Sequence, residues 1–274
     1  MRRPTSLLRY LLYAAACAFA LTPIAWMFIG SVRPDPTVAL SWDELTRFTL
    51  AHFEELFFRT DFPRLFANSL MVMALTVIVT LAMSVSGAYA LSRFRFRGRA
   101  VLVVAFLLTQ MIPSILLLVP LYVMLQAAGL LDSLFGLSLG YVAFSVPVAV
   151  WLMKGYFDAI PIALEEAARV DGASRLGAIL HVIIPLSWPG IAATAIFVAI
   201  TSWNEFLFAA LFTSGTDSRT WPVGMQLFIG EFELKWGVLT AGGVLSTLPV
   251  LVFFVLIQRR LVDGLAGRGG GVVG

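Results

Sequence analysis

Charge is scarce in this chain. Asp, Glu, Lys and Arg make up 13% of its 274 residues, whereas 59% are hydrophobic and the mean hydropathy is +0.91. A soluble domain would carry about a quarter charged residues. Cysteine occurs once, as Cys17, and histidine twice, as His52 and His181. One cysteine excludes an internal disulfide. The two histidines lie in separate polar segments, so no Ser/His, Cys/His or metal-ligand cluster is available for chemistry at membrane depth. The pattern G-x-x-x-x-G-K-[ST] is missing, so the chain cannot cradle nucleotide phosphates. Gly269, Gly271 and Gly274 reproduce a G-x-G-x-x-G spacing, but no strand precedes it and no helix follows. Period-two alternation is also missing, which excludes a transmembrane barrel.

What is abundant is long uncharged runs. Tyr10 to Val32, Leu65 to Ser92, Ala100 to Leu131, Ser133 to Met153, Leu176 to Asn204 and Trp236 to Gln258 each hold at least 21 uncharged residues. About 20 apolar residues cross a bilayer as a helix, the fold that satisfies its own backbone in lipid. The fold class is therefore an all-α polytopic membrane protein with six transmembrane helices, near residues 10–32, 68–91, 101–124, 134–154, 188–212 and 238–258. The first run outlasts a cleavable signal segment, so it is expected to be retained, with Cys17 as an ordinary embedded thiol. Thirteen of the 19 Lys and Arg fall in segments on the side of the N-terminus, which places both termini in the cytoplasm. The net charge of +3 reflects that bias and does not indicate nucleic-acid binding.

Residues 33–64 form a polar outer segment expected to hold one or two short amphipathic helices. "SRFRFRGR" at 92–99 reads as a basic cytoplasmic turn whose arginines snorkel. Residues 154–187 face the cytoplasm and concentrate turn and charge signals. Pro161 suits a helix start, with Glu165 and Glu166 near its positive end. Ile160, Leu164 and Ala167 or Ala168 share a face. Gly172 after Asp171 suits a left-handed stop. Ser174 suits the cap of a second helix that Pro185 interrupts, and Pro189 opens the next span. Two readings of this hairpin stand: a helix lying on the inner leaflet, or a handle for a partner protein. Adjacent glutamates and the small Ala167–Ala168 patch favour the handle, because a leaflet helix would favour Lys and Arg around a broad apolar face.

The hairpin resembles the cytoplasmic loop of inner-membrane permeases of ATP-binding-cassette importers. Their pattern is E-A-A, three residues, G, nine residues, I-x-L-P. Here Glu166, Ala167, Ala168, Gly172, Val182, Ile184 and Pro185 match its spacing, with Val182 and Ile184 as conservative departures. "EEAARVDGAS", "IPLSWPGI", "ALSRFRFRGR", "QMIPSILLLVPLYVMLQAAGLLDS" and "SWNEFLFAALFTS" are similar to the carbohydrate-uptake branch, in particular the second permease of maltose-type systems. The resemblance implies a type I importer permease fold. It also implies a second permease subunit, two ATP-binding subunits that hold ATP and Mg, and an extracytoplasmic sugar-binding protein as partners. This chain would itself be no enzyme and would carry no cofactor or metal. Localisation would be the cytoplasmic membrane of a bacterium or archaeon. The ATPase-coupling residues implied are Glu165, Glu166, Ala167, Ala168, Asp171, Gly172 and Pro185, with Glu166 as polar anchor. The family's terminal lysine is absent from "GGVVG".

Glu205 is the clear ionisable residue within a span. About 16 residues from Pro189, it lies roughly 24 Å along a helix. Ionisable groups at that depth are functional candidates, so Gln110, Trp203, Asn204 and Glu205 are substrate-path candidates. A structural role for Glu205 stands beside that reading. Trp221, Pro222 and Gln226 are candidate contacts for the binding protein. The cargo is a sugar by resemblance, with glycerophosphate-type solutes or ion-coupled secondary transport as alternatives.

Overall fold

Every fourth residue of one long helix is small and shielded: Val72, Thr76, Thr80, Ser84 and Ala88 are each at or below 1% exposed. Such a row lets neighbouring backbones approach closely, which is how helices associate when lipid offers no hydrophobic gain. The helix is α3, Phe62–Arg93, which begins six residues before the expected span. It belongs to a computed structural model that describes residues 5–35, 47–229 and 235–269, with side chains described for 8–35, 47–226, 228–229 and 235–255.

In chain order α3 follows α1 (Thr5–Val32) and α2 (Ala51–Phe58). It precedes α4 (Arg99–Thr109), α5 (Leu118–Ala127) and α6 (Leu134–Asp158). Then come α7 (Ile162–Val170), α8 (Arg175–Leu186), α9 (Trp188–Trp203), α10 (Leu207–Phe212), α11 (Trp221–Met225) and α12 (Trp236–Gly269). No strand forms among the described residues.

Four helices are long and apolar enough to cross a bilayer: α1, α3, α6 and the Trp236–Val255 part of α12. The other two expected spans are broken rods, bringing the number to six if each bent pair is one span. α4 meets residues Ser114–Ala127 at 101°, and α8 meets α9 at 73°. The first break follows from Pro113, whose ψ of 124° leaves the helical region and which disfavours helix at the residue before it. The second falls at Ser187, just before Pro189, two residues later than the expected interruption at Pro185. Upstream, Ile179–Ile183 widens into a π turn in which the Ile184 N–H donates to the Ile179 carbonyl. Pro185 lacks an N–H to continue the ordinary ladder. α12 runs to Gly269, past the expected end at Gln258. Residues 270–274 of the glycine-rich tail lie outside the described residues, as do Asp43 and Glu44 of the outer segment.

The chain divides into two units, residues 1–63 with 224–249 and residues 64–223 with 250–274. In the first, α2 is tied back by the Thr49 N–H to the Val32 carbonyl at 2.8 Å and by a His52 ring nitrogen to the Arg33 carbonyl at 2.9 Å. Lys235 pairs with Glu55 at 2.6 Å. In the second unit, one core gathers Val72, Leu118, Leu137, Tyr141, Phe208 and Phe212. Another gathers Ala88, Tyr89, Val150, Met153, Phe157 and Ile183. α6 and α9 cross so closely that a Cβ on Gly190 would lie 2.3 Å from the Tyr156 ring, so only glycine fits there.

Candidate functional site

The hairpin is built by local caps. Pro161 precedes α7 with ψ 131°. At the other end Gly172 takes φ +92°, its N–H donates to the Arg169 carbonyl at 3.2 Å and the Ala173 N–H donates to the Ala168 carbonyl at 3.0 Å. That pair of bonds is the Schellman stop, and the left-handed residue it requires is glycine. The Ser174 hydroxyl then accepts from the Gly177 N–H at 3.0 Å, capping α8. The stop at Gly172 and the cap at Ser174 are as expected.

The two glutamates, both expected at the ATPase joint, point different ways. Successive helical residues point about 100° apart at 3.6 residues per turn. Glu166 is exposed, together with Ala167, Asp171, Gly172, Pro185 and Val170, the last at 87%. Glu165 turns inward instead, accepting from the Tyr89 hydroxyl at 2.5 Å and from Arg93 Nε at 3.2 Å. Of the expected shared face, Leu164 and Ala167 are exposed while Ile160 and Ala168 are half-buried, and the buried residue of α7 is Glu165. Arg175 stacks over the Phe94 ring at 5.0 Å.

The α4–α5 break and a further break, between the end of α9 at Trp203 and the start of α10 at Leu207, converge on a cavity of about 490 Å³. The α4–α5 break contributes Gln110, Ile112, Pro113 and Ser114; the end of α9 and the turn after it contribute Thr201, Ser202 and Glu205; α6 contributes Tyr141, Phe144 and Ser145. Thr109 and Phe208 complete the lining, which includes no Lys or Arg. Non-helical backbone at membrane depth is tolerated where it is buried or lines such a cavity. Glu205 meets both readings of it. One carboxylate oxygen accepts from the Tyr141 hydroxyl at 2.6 Å and the Ala209 N–H at 3.2 Å, and the other accepts from the Phe208 N–H at 3.0 Å. It thus restarts the backbone as α10 while facing the cavity. Gln110 reaches the Phe144 carbonyl at 3.5 Å.

Trp203 and Asn204 do not join them. Trp203 is buried edge-on against Phe66, ring centroids 5.2 Å apart, with Met73 and Ala199, because it ends α9 on its packed side. Asn204 is exposed and its amide donates to the Ile200 carbonyl at 2.8 Å, closing α9. The sequence reading also missed Tyr141. Its signal was weak, a single tyrosine in an apolar run, whereas "MIPS" at 111–114 could have marked the helix break.

The expected binding-protein contacts also divide. Trp221 is 1% exposed, and its N–H donates to Ser69 Oγ at 2.7 Å. It is an internal anchor rather than a surface contact. Pro222 is half-buried and Gln226 exposed. The preceding loop is clamped from both sides. Asn68 Nδ2 donates to the carbonyls of Thr216, Asp217 and Arg219 at 3.3, 3.1 and 2.9 Å. Asp132, at φ +55°, accepts from the N–H groups of Ser214 and Gly215 at 2.8 and 3.1 Å and from the Ser218 hydroxyl. Those donors, the Ser214 N–H foremost, hold its carboxyl well below the usual carboxylate range. No group of three or more His, Cys, Asp or Glu that could hold a metal occurs among the described residues.

Residues 82–266 match the family described as binding-protein-dependent transport system inner membrane component. The chain is similar to the trehalose/maltose transport system permease protein MalG of Thermococcus litoralis, 35% identical over 97% of this chain and 95% of that protein. It is similar to the sulfoquinovosyl glycerol transport system permease protein SmoH of Agrobacterium fabrum, 34% identical over 96% and 93%. Its fold matches a chain in the crystal structure of a bacterial ABC transporter involved in the import of the acidic polysaccharide alginate. There the TM-score is 0.78 at 26% identity, covering 93% of this chain and 95% of that one. The chain belongs to the inner-membrane permeases of binding-protein-dependent transport systems, the membrane subunits of ATP-binding-cassette importers.

Proposed function

We propose that this permease forms, with a partner permease, the path for a sugar handed over by an extracytoplasmic binding protein, and that the hairpin around Glu166 to Gly172 seats in a cleft of one of the two cytoplasmic ATP-binding subunits. Both termini and the hairpin lie in the cytoplasm in this reading, supported by the Lys and Arg bias. The convergence of two helix breaks on one cavity carries the path assignment. Hydroxyls, an amide, aromatic faces and a carboxylate line it, groups that pair with a polyol's hydroxyls and ring faces. The lining offers no Lys or Arg to a phosphate, which favours neutral sugars over glycerophosphate-type cargo. Relatives named for trehalose and maltose accord with this. In the hairpin, the outward Glu166 with Ala167, Asp171 and Gly172 forms the docking surface, Ala168 lies half-buried beside it, and Pro185 stands exposed on α8. Pro222 and Gln226 remain surface candidates for the binding protein.

ATPase activity of the reconstituted complex, measured with each candidate binding protein over a panel of sugars, tests the cargo. Stimulation by one sugar-loaded binding protein is expected; silence across the panel in an assembled complex removes the sugar assignment. Glu166→Lys is expected to abolish stimulated uptake without loss of membrane insertion. Normal transport by that variant would refute the docking surface.

A further inference from the structure

The hairpin is joined covalently to α6 before it and α9 after it. α3 is remote in sequence, yet its C-terminal end is bolted to the same hairpin. Tyr89 and Arg93, one turn apart on α3, both donate to Glu165 of α7, at 2.5 and 3.2 Å. Arg93 also donates to the Ile160 carbonyl at 3.1 Å, in the turn that leads into α7, and to Ser92 Oγ at 3.2 Å. The Ser92 hydroxyl donates to Asp158 at 2.7 Å, at the end of α6. The Arg93 and Glu165 side chains are 8% and 9% exposed. Around this network lies apolar packing of Tyr89 on Phe157 and Ile183. Apolar surfaces slide, whereas a shielded guanidinium–carboxylate pair fixes direction and distance.

We propose that Arg93 and Glu165, braced by Tyr89, are positioning residues that pass movement of the hairpin to α3, so that a third helix turns with α6 and α9 when the ATPases close. This rests on the reading that the hairpin docks on the ATPases. Glu166 grips the partner from the outer face of α7, and Glu165 holds the permease from the inner face. Adjacent glutamates thus do opposite jobs on one turn of helix. α3 carries the shielded row from Val72 to Ala88, so a shift of its end is carried rigidly along the bundle.

The test needs no identified cargo. In a Cys17→Ser background of the full complex, Ser114→Cys reports access to the cavity through its rate of labelling by a maleimide. Labelling is compared between nucleotide-free complex and complex trapped with ATP and vanadate, alongside ATP hydrolysis. With the pair intact, trapping should change the labelling rate about tenfold, within the usual range of coupling between sites. Glu165→Leu with Arg93→Met removes both charges together, leaving neither stranded. In that variant hydrolysis should continue while the trapping-dependent change shrinks to about twofold or less, the loss expected when coupling is cut. An assembled double variant that keeps the full change overturns the proposal and leaves the pair merely structural. Should the double variant not assemble, Tyr89→Phe decides. It keeps the ion pair and should reduce the change, and an unreduced change overturns the proposal. A native-like Glu166→Lys complex would sink the docking surface by itself. A native-like response without the pair, beside an uncoupled Glu166→Lys complex, would sink only the Arg93–Glu165 assignment.

Discussion

Two tyrosine–glutamate pairs lie at different heights along α6, and they differ in one respect. Tyr141 holds Glu205 at 2.6 Å and Tyr89 holds Glu165 at 2.5 Å. Tyr141 and Phe157, which packs on Tyr89, are 16 residues apart on α6, roughly 24 Å along the helix. Glu165 has Arg93 beside it. Glu205 has backbone N–H groups and a cavity whose lining holds no cation. A shielded carboxylate with a shielded guanidinium is a neutral joint committed to holding two elements together. A carboxyl group held by backbone N–H groups and a tyrosine instead lines open space, where its oxygens can accept from a solute's hydroxyls. The same residue pair therefore serves as a fastener at one place and as a cavity wall at the other.

The strongest way to break that comparison is Glu165→Leu alone, which strands Arg93 and should cost about 3–5 kcal/mol, read as a lower unfolding midpoint of the purified complex. A loss no larger than that from Glu205→Gln would show that the two sites are not different in kind. Glu205→Gln leaves no cation unpaired and keeps an acceptor, so about 1–2 kcal/mol is expected. Its larger effect should fall on uptake rather than on the midpoint.

Gly172→Ala forces a side chain into the left-handed region at φ +92°, at about 1–2 kcal/mol. Because Gly172 belongs to the proposed docking surface, ATPase stimulation should weaken as well. Ser174→Ala removes the α8 cap bond and should cost about 1 kcal/mol, with hydrolysis and uptake falling in parallel. The smallest effect concerns pH. Asp132 has a carboxyl depressed in the folded state by Ser214, Ser218 and Gly215. Its contribution is complete above the unfolded carboxylate value, near about pH 4, and is lost as pH falls further toward the folded value. Asp132→Asn should flatten the acid limb of the unfolding profile below about pH 4. An unchanged limb would show that the clamp does not depend on charge.

The hairpin was the most legible part of the molecule. Pro161, Gly172 and Ser174 act on neighbours within a few residues, so the stop and the second cap read correctly from the sequence. Facing was less legible. The apolar spacing grouped Ile160, Leu164 and Ala167 or Ala168 on one face, whereas the buried position of α7 went to Glu165, because Arg93 and Tyr89 supply partners that hydrophobic spacing cannot register. Trp203 and Trp221 looked like contact residues because tryptophan often is one. Both are buried, one against Phe66 and the other with its backbone N–H donating to Ser69. Gln110 and Glu205, both expected on one path, line the same cavity, but the breaks that bring them together were expected as continuous helix.

By itself, the sequence determined that this protein crosses a membrane as helices, where those helices fall approximately, and that a capped, charged hairpin interrupts them. Each of these follows from hydropathy, caps and turns within one stretch of chain. Only the tertiary structure decided which glutamate grips inward and which residues wall the cavity. Those outcomes depend on partners 64, 72 and 152 residues apart, as in Tyr141 with Glu205, Arg93 with Glu165 and Ser69 with Trp221. Burial makes such distant contacts strong, and local sequence carries no record of them.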